Sequence, residues 1–288
     1  MANPTLVMID RPGGPLAPDA FRVVAADEPQ LRVTDLAVTR GDGIFETALV
    51  IDGVILSEER HLARLERSAA LLDLPTPDRD TFRAATRAAV GGLEYGFVKY
   101  ALSRGDEENP AGALGWAYAT PTPDVSGQRT VGIAVVLLDR GFSLDVPTTS
   151  PWLLAGAKTL SYAVNKAALR EAARRGASDV IFTSTDGYVL EGPTSTLVAR
   201  FGDEVVTTRP ETGVLPGTTQ EDLFEGLNDL GLRGVVRDMR VEELAAADAV
   251  WLVSSIRLAM PVNAIDGVPY PVDDLTERFT EILLARTS

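Results

Sequence analysis

The 288-residue sequence has no cysteine, one histidine and only three lysines, set against 24 arginines. Without cysteine, disulfides, thiolate nucleophiles and cysteine-based zinc sites are excluded. With His61 alone, a histidine cluster around a metal is impossible, and a Ser-His-Asp triad would depend on that one residue. His61 lies in EERHLARLERSAALLDL, a helical pattern in which an exposed histidine is expected. Long apolar runs are also missing. The longest, such as VGIAVVLLD, suit core strands and fall well short of the ~20 residues of a membrane span. MANPTLVMIDRPGG has no basic stretch leading into an apolar one, so no signal peptide is expected and the chain reads as soluble and cytoplasmic. The formal charge of −14 disfavours nucleic acid and anionic membrane as partners. An anionic small molecule remains admissible where local groups override that field.

What is present suits a globular enzyme-sized protein. Apolar residues make up 45% and charged residues 24%, enough for a sizeable core, and at ~150 residues per domain the length suggests two domains. IFETALVID and GVILS read as a hairpin turning at Asp52-Gly53. Residues 58 to 72 read as a helix with Leu62, Leu65, Ala69 and Leu72 on one face, and 82 to 90 as a second. FVKYALSR and LGWAYAT read as strands. PTPDVSGQ, residues 121–128, has the composition of a linker, dividing a small domain (1–120) from a larger one (129–288). In the latter, TVGIAVVLLDR is a buried strand and residues 162–175 a helix closed by Gly176. DVIFTS, YVLEG, STLVARF and DAVWLVSS read as further strands. Both halves mix helix and strand, which points to an α+β architecture with a cleft between two domains.

Four stretches could carry chemistry. Lysine is scarce, so Lys158 in LAGAKTLSYAVNKAAL stands out: a lysine amine condenses with an aldehyde, and arginine does not. The alternative is a lysine stem snorkelling from a strand end. Lys166 falls at the spacing of an exposed helix position. In LPGTTQED, Gly217 and Thr218 precede a helix whose free N–H groups could bind an anion, although Thr218 with Glu221 would serve equally as a capping box. VSSIR ends a buried strand in two hydroxyls that could face phosphate or cap a turn. Glu191, in DGYVLEGPTST, sits at a strand end, either exposed or buried opposite a cation.

Taken together these motifs resemble the fold-type IV pyridoxal-phosphate enzymes: branched-chain and D-amino-acid aminotransferases and 4-amino-4-deoxychorismate lyases. The resemblance runs through RGDGIFETALVIDG, HLARLERSAALLDLP, the block from Lys158 to Glu191, VLPGTTQEDL and VWLVSSIRLAMPVNAIDG, in the family's order. It implies the two-domain D-amino-acid aminotransferase-like fold with pyridoxal 5′-phosphate in the interdomain cleft. It also implies that Lys158 bonds the cofactor covalently and then moves the substrate proton, and that Glu191 bonds the pyridine nitrogen. Arg64, Gly217, Thr218, Thr219, Ser255 and the Ile256 backbone would hold the phosphate, and Tyr162 would neighbour the ring hydroxyl. Thr196, where relatives often carry asparagine, is assigned no role.

FVKYALSRG is similar to the lysine-plus-SRG pattern of aminodeoxychorismate lyases, and the Lys158 block resembles actinobacterial ones. The branched-chain Tyr-x-Arg signature is absent, with Phe97 and Lys99 in its place, as is the Arg-x-His trap of D-amino-acid enzymes. The acidic DEENPAG follows, without the second arginine some lyases carry. The resemblance thus implies a lyase forming 4-aminobenzoate and pyruvate for folate synthesis, with Lys99 and Arg104 as candidate substrate residues and a homodimer as the assembly. The alternatives are a class IV aminotransferase, a dual activity, or a non-catalytic binding protein of the same fold.

Overall fold

The computed structural model of the chain describes residues 4–108 and 112–286. Residues 109–111 of DEENPAG and the first three of MANPTLVMIDRPGG lie outside the described residues. The described chain forms two compact units. One comprises the chain up to Pro123 together with Ala157–Tyr162; the other comprises Asp124–Gly156 and Ala163–Arg286.

The first unit is an antiparallel sheet of β1 (Thr5–Ile9), β2 (Phe21–Val24), β3 (Gly43–Ile51), β4 (Val54–Ile55), β5 (Tyr95–Ser103) and β6 (Leu114–Pro121). Its order is β2-β1-β6-β5-β3-β4. Three helices accompany it: α1 (Leu36–Thr39), α2 (Glu58–Leu71) and α3 (Arg79–Val90). The β3–β4 hairpin turns at Asp52-Gly53, both with positive φ, as a two-residue turn of this kind requires. Side chains alternate across the sheet. On one face Glu46 lies opposite Tyr100 and Ala48 opposite Val98; on the other Phe45 lies opposite Ala101 and Thr47 opposite Lys99. Helix α2 packs on β3, and α3 on β1 and β6. Asp78 caps α3 by accepting from the Thr81 N–H at 2.8 Å, which starts that helix three residues before the expected Phe82.

The stretch 121–128 holds the end of β6 and the start of α4 (Ser126–Val131), with the change of unit between Pro123 and Asp124. A segment from inside 129–288, Ala157–Tyr162, belongs to the first unit, because its backbone bonds to β3.

The second unit is a mixed sheet of β7 (Ile133–Asp139), β8 (Asp179–Thr183), β9 (Thr196–Phe201), β10 (Glu204–Thr207), β11 (Arg233–Val236), β12 (Ala249–Ser254) and β13 (Leu258–Ile265). Its order is β11-β10-β9-β12-β13-β7-β8, with β14 (Val268–Pro269) on β13. The helices are α4, α5 (Val146–Thr149), α6 (Ala163–Arg174), α7 (Thr218–Gly226), α8 (Val241–Leu244) and α9 (Leu275–Leu284). Strands β7 and β8 run parallel, and α6 packs against them. Alternation gives that pair two buried faces: Val136, Val180 and Phe182 meet Ala168 and Ala172 of α6, while Val135 and Ile181 join Leu197, Leu252 and Met260. The expected strand YVLEG forms only bridges, because its N–H groups serve two neighbours. Val189 donates to Met239 and Leu190 to Phe182. Helix α6 starts at Ala163, one residue after the expected Tyr162. Among the described residues, no helix is long and apolar enough to cross a membrane.

Phe82 is fully buried on α3, with its ring 6.1 Å from that of Tyr100. Phe82→Ala is expected to destabilise the protein by about 3–5 kcal/mol, read as a lowered urea midpoint.

Candidate active site

The site in the first unit begins with a backbone contact. The Phe45 N–H donates to the Lys158 carbonyl at 3.0 Å and the Leu160 N–H to the Gly43 carbonyl at 2.8 Å, with Ile44 bridged to Thr159. The Lys158 N–H donates to Ser68 Oγ at 3.1 Å. This close approach explains two glycines of RGDGIFET. A Cβ on Gly43 would stand 2.8 Å from Leu160 Cδ1, and one on Gly41, whose φ is +69°, would stand 2.8 Å from Ser161 Oγ. Lys158, half-buried, lies with Nζ 4.6 Å from the centroid of the Phe45 ring. Lys99, from β5, lies with Nζ 5.5 Å from the same centroid, and the Tyr162 ring meets Phe45 edge-on at 5.4 Å. Two of the three lysines in the chain thus lie against one aromatic ring.

On the opposite face of β3 is a buried polar cluster. Glu46 is 0% exposed, His61 1% and Arg64 5%. Arg64 donates from Nε to Glu46 Oε1 at 2.7 Å and from a terminal nitrogen to Oε2 at 2.8 Å, a two-pronged pair. His61 Nδ1 lies 2.8 Å from Oε2, and since a carboxylate only accepts, that nitrogen carries the proton. The expectation of an exposed His61 is therefore corrected. The buried stripe of α2 runs through Glu58, His61, Leu62, Leu65, Ser68 and Ala69, wide enough to take in the imidazole, and Glu46 supplies its partner. Burial pushes the Glu46 carboxyl up, but the charge and hydrogen bonds of Arg64, with His61, outweigh this and hold it well below the usual carboxylate range. For His61 burial dominates and lowers the pKa against the pull of Glu46, with Arg64 and Lys158 adding to the fall.

The second unit gathers a different set. Glu191 is buried, with Oε1 3.3 Å from an Arg140 terminal nitrogen and Oε2 accepting from the Leu215 N–H at 3.1 Å. Arg140 in turn lies over the rings of Phe182 and Phe142, at 4.9 and 5.5 Å. Leu215 leads through Pro216 into α7, whose N-cap is Gly217 with no side-chain cap. The expected Thr218–Glu221 capping box is corrected by this, since the Glu221 N–H already bonds the Gly217 carbonyl and Thr218 is the first helical residue. The N–H groups of that first turn remain available for an anion. Thr219 Oγ1 lies 3.4 Å from Ser255 Oγ, in the turn Ser255-Ile256-Arg257 that joins β12 to β13. Two stretches 36 residues apart thus meet. Arg257 pins that turn by donating to buried Asp179 at 2.5 Å. Gly217 is required by packing, because a Cβ there would come 2.2 Å from Thr196 Oγ1.

Arg104 is held by structural contacts, while Lys166 sits at the surface as expected. Arg104 donates to Asp42 at 2.7 Å and to the carbonyls of Leu72 and Asp73, bracing the end of α2. Lys166 is exposed on α6. Glu46 and Arg140 had not been singled out. Glu46 lies within the quoted RGDGIFET, but nothing near it reveals its partners. Arg140 follows a core strand, and its contact with Glu191 spans 51 residues.

A primary amine on an aromatic face, a buried carboxylate, a buried guanidinium and an uncapped helix start flanked by hydroxyls are the groups of an enzyme that handles amines through an aldehyde cofactor bearing a phosphate. Comparison with known proteins agrees: residues 43–265 match the family of class IV amino-transferases. The chain belongs to that family, whose members are α+β, fold-type IV, pyridoxal-phosphate enzymes. It is 44% identical over 268 residues to a bifunctional aminodeoxychorismate lyase / D-amino acid transaminase of Mycobacterium tuberculosis, covering 88% of this chain and 92% of that one. A fold IV-transaminase structure from Curtobacterium pusillum has a TM-score of 0.94 at 48% identity, covering 98% of this chain and 97% of that one. A PLP-bound hypothetical aminotransferase from Mycobacterium tuberculosis has a TM-score of 0.89 at 41% identity, covering 98% of each.

His61 is the sole histidine, so its imidazole gives one titrating NMR signal. Its midpoint is expected below 6.5; a midpoint at or above 6.5 would contradict the buried neutral ring. The unfolded chain protonates His61 below 6.5 while the folded one resists, so this residue costs stability as pH falls through that value. Glu46 adds a second loss at lower pH: its contribution is complete above 4.5 and declines as pH falls toward its depressed folded pKa.

Proposed function

We propose that the chain is a 4-amino-4-deoxychorismate lyase, releasing 4-aminobenzoate and pyruvate for folate synthesis, with pyridoxal 5′-phosphate as its cofactor. The observation that carries this reading is the meeting of Lys158, Lys99 and Tyr162 on Phe45, with Lys99 coming from a strand of the lysine-plus-SRG type. The Mycobacterium tuberculosis relative, named for the lyase, supports it. The same relative is named for a D-amino acid transaminase, which supports a second activity on the same apparatus.

The residues present suit the cofactor by the chemistry of their donors. When bound, pyridoxal phosphate supplies an aldehyde that condenses with amines and a cationic ring that withdraws electrons from the amine-bearing carbon. Lys158 Nζ would hold that aldehyde and, once free, would take the proton from the amine-bearing carbon. Glu191 would accept the pyridine N–H and so would keep the nitrogen protonated. Its own contacts with Arg140 and the Leu215 N–H orient the carboxylate. Arg64, the first-turn N–H groups of Thr218 and Thr219, Ser255 Oγ and the Ile256 N–H bind the phosphate. The Tyr162 hydroxyl bonds the ring hydroxyl. Lys99 receives a substrate carboxylate, whereas Arg104 is left to its structural contacts. A homodimer in the cytoplasm belongs to the same proposal and rests on the habit of the family.

The purified holoprotein is expected to be yellow, with a visible band removed by borohydride, and Lys158→Ala is expected to lose both the band and at least about 10²-fold in rate. Aminodeoxychorismate should yield fluorescent aminobenzoate, and D-alanine with 2-oxoglutarate should yield pyruvate and glutamate. Amine transfer without aminobenzoate release would overturn the lyase in favour of the transaminase.

A further inference from the structure

Glu46 is fully buried yet has no task in the proposed chemistry. Burying Glu46 and Arg64 together removes two ions from water, a cost that mutual attraction rarely repays in stability alone. The geometry of the pair is specific. Arg64 uses Nε and one terminal nitrogen on the two Glu46 oxygens, at 2.7 and 2.8 Å, which fixes the plane of the guanidinium and hence the direction of its other terminal nitrogen. His61 Nδ1, 2.8 Å from Oε2, stops the carboxylate from turning. These contacts join β3 to a single face of α2, because His61 and Arg64 lie three residues apart on that helix.

We propose that Glu46 is a positioning residue for cofactor binding: with His61 it locks the Arg64 guanidinium so that its outward N–H groups meet the cofactor phosphate. The inference rests on the reading in which Arg64 binds that phosphate. The charge of Glu46 acts against phosphate binding while its geometry acts for it, so the sign of the effect is diagnostic. A positioning role makes removal of the charge weaken phosphate recognition; a merely tempering role makes removal strengthen it.

The test compares pyridoxal phosphate with pyridoxal, which lacks the phosphate, by titrating apoprotein and following visible absorbance. The ratio of the two affinities measures phosphate recognition alone, because general loss of structure weakens both ligands. Arg64→Met and Glu46→Gln are each expected to reduce the ratio by about tenfold or more, as loss of charge-assisted hydrogen bonds does, and the double variant no further than either. A Glu46→Gln ratio unchanged or raised, with Arg64→Met lowered, overturns the positioning role and leaves the cofactor reading standing. A normal ratio in Arg64→Met removes the phosphate assignment, and this inference with it. Wild-type protein provides a measurement independent of folding in the variants. The His61 imidazole signal is expected to move further when pyridoxal phosphate binds than when pyridoxal binds, since both ligands reach Lys158 but only one carries the phosphate. Equal movement with both ligands, or none with either, overturns the inference.

Discussion

The hydrogen bonds between β3 and the segment Ala157–Tyr162 are the constraint on which the first unit's chemistry depends. They carry Lys158 across 113 residues of chain to Phe45, and they set the side-chain order on that strand. Phe45 on one face receives Lys158, Lys99 and Tyr162; its neighbour Glu46 on the other receives Arg64 and His61. One pleat therefore serves two roles through consecutive residues, because a strand sends successive side chains to opposite faces. A one-residue slip of β3 would exchange the aromatic platform with the buried acid. The close backbone approach at Gly43 and Gly41 guards that register.

The shortage of lysine now has a physical account. The arginines hold the frame through forked contacts: Arg64 on Glu46, Arg87 on Glu58, Arg209 on Asp238, and Arg104 on Asp42 and two carbonyls. A planar guanidinium suits such work, since several of its donors can engage at once. An amine with a changeable protonation state is kept for where it is needed, two on Phe45 and one exposed on α6. Each unit also buries a carboxylate against an arginine, Glu46 with Arg64 and Glu191 with Arg140. In a chain this acidic, such pairing keeps buried negative charge compensated.

Much of this was legible in the sequence wherever a local rule governs. The hairpin at Asp52-Gly53, the apolar stripe of α2 and the strands β7, β8 and β12 follow from turn chemistry and periodicity. Ordered motifs draw attention to Lys158 and Glu191, which the structure places on Phe45 and against Arg140. The remainder was hidden because partners lie far along the chain. His61 looked exposed since nothing within α2 announces a carboxylate 15 residues upstream. The capping box at Thr218 was a sound local guess overruled by a helix that starts with Gly217 as its cap. Arg104 looked like a substrate residue until Asp42 and the end of α2 claimed its donors.

The path of the chain also sets an order of assembly. The first unit has its sheet and three helices once Pro123 is made, but it lacks its last strip of backbone until Tyr162 has followed. In between come α4, β7 and α5, which belong to the second unit. On a ribosome adding about 5–20 residues per second, β3 waits several seconds for that strip. During that interval the unsatisfied backbone of β3 at Gly43 and Phe45 is a vacant strand edge, and closing it is a contact of long sequence separation, the kind that slows folding. Lys158 is thus installed late, on a platform already built to receive it.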